Sequence, residues 1–227
     1  MKKLIIANWK LNPSTLKDAQ ALAASISVKA KNKVVLCPPT IYLSNIQYPN
    51  IGAQDCFWQE KGAFTGQVSA LQLKDLKIKY CIIGHSERRA VGDTDEMVNA
   101  KAKALLAQNI IPVICIGFGT TVEHDDLEVT DILKSQLDVD LAGVDKSKVI
   151  VAYEPVWAIG TGKNATSEHV EKISIFIKTK YGVPIVLYGG SANAANAKEF
   201  LEQQNVGGLL VGGASLNATD FNKIINL

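Results

Sequence analysis

Residues 149–188 have the sequence VIVAYEPVWAIGTGKNATSEHVEKISIFIKTKYGVPIVLY, and this stretch contains the pattern that decides the fold. It begins with the apolar run Val149–Tyr153 and ends with a second run, Ile185–Tyr188. The segment between the runs places apolar side chains on one face of a helix, at Val170, Ile173, Phe176 and Ile177. A strand, a helix and a strand in this order predict a βαβ unit with parallel strands.

The same alternation continues along the whole chain. Eight short apolar runs recur, at Leu4–Ala7, Val34–Cys37, Ile51–Ala53, Tyr80–Ile83, Ile111–Ile116, Val149–Tyr153, Ile185–Tyr188 and Leu209–Val211. They are continuous rather than alternating, as expected for strands covered on both faces. Eight such units form either a (β/α)8 TIM barrel or an open doubly wound α/β sheet. Because no linker or low-complexity tract divides the 227 residues, we predict one compact barrel domain over residues 1–227.

Polar residues ahead of the helical segments predict where helices begin. Asn12 is a candidate N-cap for the first helix, with Pro13 in its first turn. Ser69 with Gln72 has the spacing of a capping box, and so has Asp93 with Glu96.

Composition excludes several classes of protein. The chain is 47% hydrophobic and carries 24 lysine and arginine residues against 22 acidic ones, a net charge of +2. This balance gives no electrostatic reason to expect nucleic acid or an anionic membrane as a partner. No apolar run reaches the roughly 18 residues that a membrane span needs. A bound anion would therefore have to be held by a local site.

Four cysteines bear on the cellular compartment. Cys37, Cys56, Cys81 and Cys115 form no CxxC pair, and three lie in or beside apolar runs, which favours buried free thiols over two disulfides. The amino-terminal apolar stretch is short and leads into Trp9 rather than a cleavage site, so we interpret it as the first strand of a cytoplasmic protein.

Chemistry in a barrel lies at the carboxyl ends of its strands. The polar and glycine residues directly after the runs are Asn8, Lys10, Gly84, His85, Ser86, Glu87, Glu154, Gly189, Gly190, Ser191, Gly212 and Gly213. Two glycine turns follow the last two runs, and each precedes a helix whose free N–H groups could hold a phosphate. The alternative is that these glycines only relieve tight turns.

Glu154 and His85 are the candidate acid–base pair. A carboxylate at the mouth of an apolar barrel is partly desolvated, which favours its action as a base, whereas the plain alternative is a salt bridge to a lysine. His85 precedes a plausible helix start, where a positive imidazole is disfavoured. His124 and His169 are predicted to be solvated. Gly117 and Gly119 lack the third glycine of a dinucleotide-binding turn, so a Rossmann site is discounted.

Five segments resemble the triosephosphate isomerase family, in the family's order and over almost the whole chain. They are residues 8–10 (NWK), 83–89 (IGHSERR), 152–163 (AYEPVWAIGTGK), 188–191 (YGGS) and 210–215 (LVGGAS). The resemblance implies an isomerase of glycolysis and gluconeogenesis that interconverts dihydroxyacetone phosphate and D-glyceraldehyde 3-phosphate through an enediolate. It implies no metal and no cofactor.

The resemblance also assigns roles. It implies Glu154 as the base, His85 as a neutral electrophile, Lys10 as the cation that offsets the developing charge, and Asn8 as a hydrogen-bonding partner of the substrate oxygens. The N–H groups expected to hold the substrate phosphate are those of Gly160, Ser191, Gly212 and Gly213. The resemblance further implies that Glu87 is a partner near the site, and that a lid from Pro155 to about Ala165 closes over the substrate.

A homodimer is implied as well, because residues 62–66 (GAFTG) resemble the loop that inserts Thr65 beside the partner's active site. The chain departs from the family pattern at five positions, Leu11, Asp55, Gln67, Phe118 and Gly207. It is also about twenty residues shorter than is usual in the family, which we attribute to shortened helices and far-side loops such as Lys178–Pro184. These departures leave the strength of the dimer open.

Two other functions remain as alternatives. A different phosphosugar isomerase or synthase would explain the phosphate site but not the whole segment around Glu154. A non-catalytic phosphate-binding protein would be expected to lack at least one of Asn8, Lys10, His85 and Glu154.

Overall fold

Eight parallel strands form one sheet in the computed structural model of the protein, which describes residues 2–158 and 165–227. The strands are β1 (Leu4–Asn8), β2 (Lys33–Cys37), β3 (Gly52–Ala53), β4 (Tyr80–Ile83), β5 (Ile111–Ile116), β6 (Ile150–Tyr153), β7 (Ile185–Tyr188) and β8 (Gly208–Val211). Every apolar run of the sequence coincides with one of them to within one residue at each end.

The sheet closes into a barrel. Its strand order is β2-β1-β8-β7-β6-β5-β4-β3, so each strand lies beside its neighbours in sequence, with β1 beside β8. The two ends of this order meet at a parallel bridge between Leu36 and Ile51. The N–H of Leu36 donates to the carbonyl of Asn50 at 3.1 Å at the same place. The prediction of a closed TIM barrel, rather than an open doubly wound sheet, is confirmed.

Eight α-helices pack around the described part of the barrel. They are α1 (Leu16–Ser25), α2 (Ala70–Asp75), α3 (Ser86–Ala90), α4 (Asp95–Ala107), α5 (Asp126–Asp140), α6 (Ser167–Tyr181), α7 (Ala197–Leu201) and α8 (Ala218–Ile225). Between β2 and β3 there is only the 3-10 turn Thr40–Tyr42, and α2, α3 and α7 have six, five and five residues. After α6, the left-handed Gly182 leads to β7 within three residues. Several helices are thus short, whereas α4, α5 and α6 have 13, 15 and 15 residues.

Two of the three predicted helix caps are wrong. The capping box of Ser69 and Gln72 is present. The first helix instead begins at Leu16, because the Thr15 side chain accepts from the N–H of Asp18. The cap of α4 is Thr94. Asp93 pairs instead with Lys101, whose side chain is only 3% exposed and needs a carboxylate partner.

Both faces of the strands are buried, which explains why the runs are continuous. One set of side chains fills the barrel interior, including Ile6, Val35, Ile82, Val113 and Leu187. The other set packs against the surrounding helices. All four cysteines are buried and free, as the sequence predicts. Among residues 2–158 and 165–227, no helix is both long and apolar enough to cross a membrane.

The contact between β8 and β1 requires a residue without a side chain at position 208. The φ of Gly208 is +153°, and a Cβ there would lie 1.8 Å from the carbonyl oxygen of Leu4. We expect Gly208→Ala to lower the free energy of unfolding by about 3 kcal/mol, measured by urea denaturation. Gly213→Ala is the control, since a Cβ there meets nothing within 4 Å. Equal midpoints for both variants would contradict this account of the β8–β1 contact.

Candidate active site

The carboxyl ends of the strands surround a cavity of about 330 Å³. Of the residues predicted from the sequence, those lining it are Asn8, Lys10, His85, Glu154, Gly189, Gly190, Ser191, Gly212 and Gly213. Gly160 lies outside the described residues. Larger cavities, of about 900 and 760 Å³, lie beside α2 and at the opposite end of the barrel. Neither combines a carboxylate with an imidazole, so the chemistry points to the smaller cavity.

Glu154 lies directly after β6, with only 1% of its surface exposed. One carboxylate oxygen, Oε2, accepts a hydrogen bond from the N–H of Ser86 at 3.0 Å. The other, Oε1, lies 3.1 Å from Nε2 of His85 but has no hydrogen bond of ordinary geometry with any described residue. The carboxylate therefore has one fixed oxygen and one that is available to take a proton.

Two glycines allow the chain to approach Glu154 closely. A Cβ at Gly189 would lie 2.8 Å from Cγ of Glu154. A Cβ at Gly117, whose φ is +107°, would lie 2.4 Å from the Glu154 carbonyl oxygen. Any side chain at either position would displace the carboxylate or its backbone, so both glycines are positioning residues.

His85 caps α3 through its own ring. Nδ1 accepts the backbone N–H of Glu87 at 3.2 Å, so this nitrogen carries its lone pair and not a proton. The hydrogen-bond network thus assigns the proton of the neutral ring to Nε2, the nitrogen beside Glu154. The preceding Gly84 has a φ of +66°, and it turns the chain from β4 into α3. His85 can therefore donate one hydrogen bond from Nε2 while it remains neutral.

Lys10 adopts a left-handed backbone, with a φ of +53°, which is uncommon for a residue with a side chain. Its N–H donates to Oδ1 of Asn8 at 3.1 Å, and its Nζ lies 2.6 Å from Oε1 of Glu87. The amide of Gln54 donates to the carbonyls of both Lys10 and Cys37, at 2.8 and 2.9 Å. Gln54 is not among the residues predicted from the sequence, although its place directly after β3, at the carboxyl end of a strand, is a signal of such a role.

The turns after β7 and β8 bring backbone N–H groups to the cavity. After β8, the 3-10 turn Gly213–Leu216 begins, and its first hydrogen bond runs from the N–H of Ser215 to Gly212. After β7, the N–H and Oγ of Ser191 both donate to the carbonyl of Ala158, at 3.0 and 2.5 Å. Both donors of Ser191 are thus directed at the segment that follows Glu154.

Charged networks behind the cavity hold α3 and α4 in place. Arg89 donates to the carbonyls of Gly84 and Cys115 and pairs with the buried carboxylate of Asp140 at 2.9 Å. Burial raises the pKa of Asp140 well above its ordinary value, against the lowering effect of Arg89. This network could not be predicted from the sequence, because its members are up to 51 residues apart.

The prediction that His169 is solvated is wrong. Its Nε2 lies 3.0 Å from the hydroxyl of Tyr153, and its Nδ1 lies 2.8 Å from Asp126. It thus bridges α6 to the strand that carries Glu154, a contact that depends on tertiary packing. In the described part of the chain, no group of three or more His, Cys, Asp or Glu side chains is arranged to hold a metal ion.

Comparisons with known proteins agree with this geometry. The sequence model of the triosephosphate isomerase family matches residues 3–227. The triosephosphate isomerase of Alkaliphilus oremlandii is 42% identical over 249 residues, which cover all of both chains. That of Thermoanaerobacter sp. strain X514 is 41% identical over 248 residues, again with full coverage. An alignment of 249 positions with a chain of 227 residues leaves about 22 without a counterpart, in agreement with the predicted shortening.

Asp55, one of the departures from the family pattern, makes a testable prediction. Its carboxylate pairs with Lys101 at 2.8 Å and Arg88 at 3.0 Å. Burial nevertheless raises the pKa of this carboxyl, outweighing the lowering effect of the two cations. The folded state then binds more protons than the unfolded state, so Asp55 costs stability as the pH rises from its ordinary pKa of 3.8 through the raised value.

We therefore expect the stability of Asp55→Asn, relative to the unmodified protein, to rise between pH about 3.5 and 7 in urea unfolding. Asp145→Asn is the control with the opposite sign, because Ser147 and Lys148 lower the pKa of the exposed Asp145. A relative stability of Asp55→Asn that falls with rising pH would show that the cations outweigh burial.

Proposed function

The chain belongs to the triosephosphate isomerase family, and on that premise we propose how its site interconverts dihydroxyacetone phosphate and glyceraldehyde 3-phosphate. A single observation carries the proposal: Glu154 presents an unpaired carboxylate oxygen 3.1 Å from the imidazole nitrogen assigned the proton. A base and a neutral hydrogen-bond donor, side by side in a buried site, are what proton transfer next to a carbonyl group requires.

Glu154 is the base of this mechanism. Its Oε1 takes the proton from C1 of dihydroxyacetone phosphate, and the electron pair of the broken C–H bond forms a C1–C2 double bond. The C2 carbonyl oxygen receives the displaced electrons, which gives an enediolate. Return of the proton to C2, with loss of the hydroxyl proton at O1, yields the aldehyde. The hydrogen bond from Ser86 to Oε2 keeps the carboxylate in place during both transfers.

His85 is the electrophile. Its Nε2–H polarises the substrate carbonyl and then moves the proton between the two oxygens of the enediolate. The N–H of Glu87 on Nδ1 keeps the ring in the tautomer that this role needs. Because the donor is fixed in a buried site, it stabilises the developing oxyanion without reorganisation.

Lys10 and Asn8 complete the site for the anion. Lys10 offsets the negative charge of the enediolate and of the phosphate, and Asn8 hydrogen-bonds the substrate oxygens. The Nζ of Lys10 is paired with Glu87, which positions the ammonium at the cavity. Asn8 also accepts the N–H of Lys10, so the two side chains are oriented together.

The phosphate is held by the N–H groups of Gly160, Ser191, Gly212 and Gly213 beneath a closing lid, from Pro155 to about Ala165. The hydrogen bonds of Ser191 to Ala158 support this part of the proposal. A movement of the lid that withdraws the Ala158 carbonyl breaks both of these hydrogen bonds and allows Ser191 to donate to the phosphate. Closure also excludes water from an enediolate that could otherwise eliminate phosphate.

We further propose a homodimer in the cytoplasm. A loop leaves the barrel after Phe57, whose N–H donates to Val68 at 2.8 Å, and all of residues 59–67 between them are exposed. Thr65 lies in this loop beside Phe64, which is 43% exposed, and Leu11 is 91% exposed. These apolar side chains support insertion of Thr65 beside the partner's site. The four free, buried cysteines fit a reducing compartment.

Glu154→Gln removes the base and keeps the shape of the side chain. We expect the isomerase turnover number to fall roughly 10²–10⁴-fold, with little change in KM, in a coupled assay on dihydroxyacetone phosphate. Glu168→Gln, on the exposed first turn of α6, is the matched control and should keep full activity. Turnover retained by Glu154→Gln would remove Glu154 from the role of base. Higher activity on another ketose phosphate would favour a different isomerase.

The proposed dimer predicts a mass of twice the 24.5 kDa of one chain in light scattering at micromolar concentration. Thr65→Arg places a charge at the proposed interface and should shift the mass toward a single chain. Thr121→Arg, in an exposed loop elsewhere, should not. A single-chain mass for the unmodified protein would refute the dimer.

A further inference from the structure

A second cavity, of about 760 Å³, opens at the amino ends of the strands, opposite the active site. Apolar residues at the strand starts form its floor, namely Leu4, Tyr80, Ile111, Ile150 and Ile185. Five lysines also line it: Lys2, Lys3, Lys33, Lys148 and Lys178. None of its described lining residues is acidic. This volume lies within the usual range for small-molecule sites, and we call it the amino-end cavity.

Most of this positive charge is not neutralised by the protein. Lys148 pairs with Asp145 at 3.1 Å, but the other four lysines form no ion pair within the described ranges. Glu171 attracts Lys3 and Lys178 and offsets part of their charge, but it does not line the cavity, and its carboxylate accepts hydrogen bonds from the backbone and side-chain amides of Asn205. The cavity is therefore electropositive, with no carboxylate among its described lining residues.

Two of these lysines are held in place around the floor. The Nζ of Lys3 donates to the carbonyls of Gln203 and Val206, which leaves its third N–H without a partner among the described residues. The Nζ of Lys33 lies 5.3 Å from the centre of the Tyr80 ring. Burial and the repulsion from Lys178 lower the pKa of Lys3, so the positive charges are close enough to disfavour one another.

We propose that the amino-end cavity binds an organic polyanion that carries a flat aromatic ring and has the size of a nucleotide. Several negative charges would satisfy the lysines, and the ring would cover the apolar floor, which a simple inorganic anion would leave exposed. This site is separate from the triose phosphate site. The two lie at opposite ends of the strands, and the six residues of β5 alone span about 20 Å.

Isothermal titration calorimetry with ATP, in the absence of divalent cations, tests the proposal. We expect saturable binding of ATP, with inorganic triphosphate and adenosine each binding at least about tenfold more weakly, because each lacks one part of the recognised chemistry. Lys33→Gln and Lys178→Gln should each weaken ATP binding about tenfold, by loss of a charge-assisted contact. Lys17→Gln is the matched control; it is exposed in α1, after the carboxyl end of β1, and should leave binding unchanged.

Thermal unfolding provides a second measurement. ATP should raise the unfolding temperature of the unmodified protein and of Lys17→Gln, but not that of the Lys33→Gln, Lys178→Gln double variant. Without ATP, the double variant should be at least as stable as the unmodified protein, because it relieves repulsion, and should keep its isomerase activity.

Three results would overturn the proposal. The first is no saturable ATP binding at millimolar concentration. The second is triphosphate binding as tightly as ATP, which would leave no role for the apolar floor. The third is ATP binding that both single variants leave unchanged, which would place ATP in the phosphate site at the other end of the barrel.

Discussion

Parallel pairing around a closed barrel orients every strand the same way, and the position of each functional group follows from it. The barrel closes beside β3, which has only two residues, through the bridge between Leu36 and Ile51 and the hydrogen bond from Leu36 to Asn50. Because all carboxyl ends then face one side, Asn8, His85 and Glu154 line one cavity although they are up to 146 positions apart in sequence. The same constraint collects the lysines of the strand starts at the opposite end.

Within the barrel, the geometry of the proposed active site depends on how closely two glycines approach Glu154. Because Gly117 and Gly189 have no side chains, the backbone carbonyl of Glu154 can lie against Gly117 and its side chain against Gly189. The N–H of Ser86 donates a hydrogen bond to one carboxylate oxygen of Glu154. The ring of His85 caps the helix that begins at Ser86, so one short helix start orients both the proposed base and the proposed electrophile. A rigid pair of this kind meets the requirement that donors be in place before charge develops.

The sequence predicts the strands well, because a strand buried on both faces appears as an uninterrupted apolar run, such as Ile111–Ile116. It also predicts the residues that line the cavity, because strand ends are recognisable in such a pattern. Contacts between distant elements were not predictable. Asp93 matched a capping pattern locally, yet the buried Lys101 eight residues later takes its carboxylate. His169 was predicted to be solvated from its polar neighbours in sequence, but the packing of α6 places it against Tyr153.

The structure explains two of the departures from the family pattern, at Gly207 and Phe118. A Cβ at Gly207 would lie 2.8 Å from Cγ2 of Ile185, so an aspartate there would not fit the start of β7 as it packs in this chain. At Phe118, the backbone keeps a contact whatever the side chain, because the amide of Gln136 donates to its carbonyl at 2.7 Å. Gly207 lines the amino-end cavity and Phe118 follows β5, while the carboxylate, imidazole and ammonium of the proposed active site are retained. The net charge of +2 therefore does not reveal that the two ends of the barrel differ in charge distribution. At the carboxyl ends of the strands, Lys10 is paired with Glu87, whereas at the amino ends five lysines line a cavity with no described acidic lining residue.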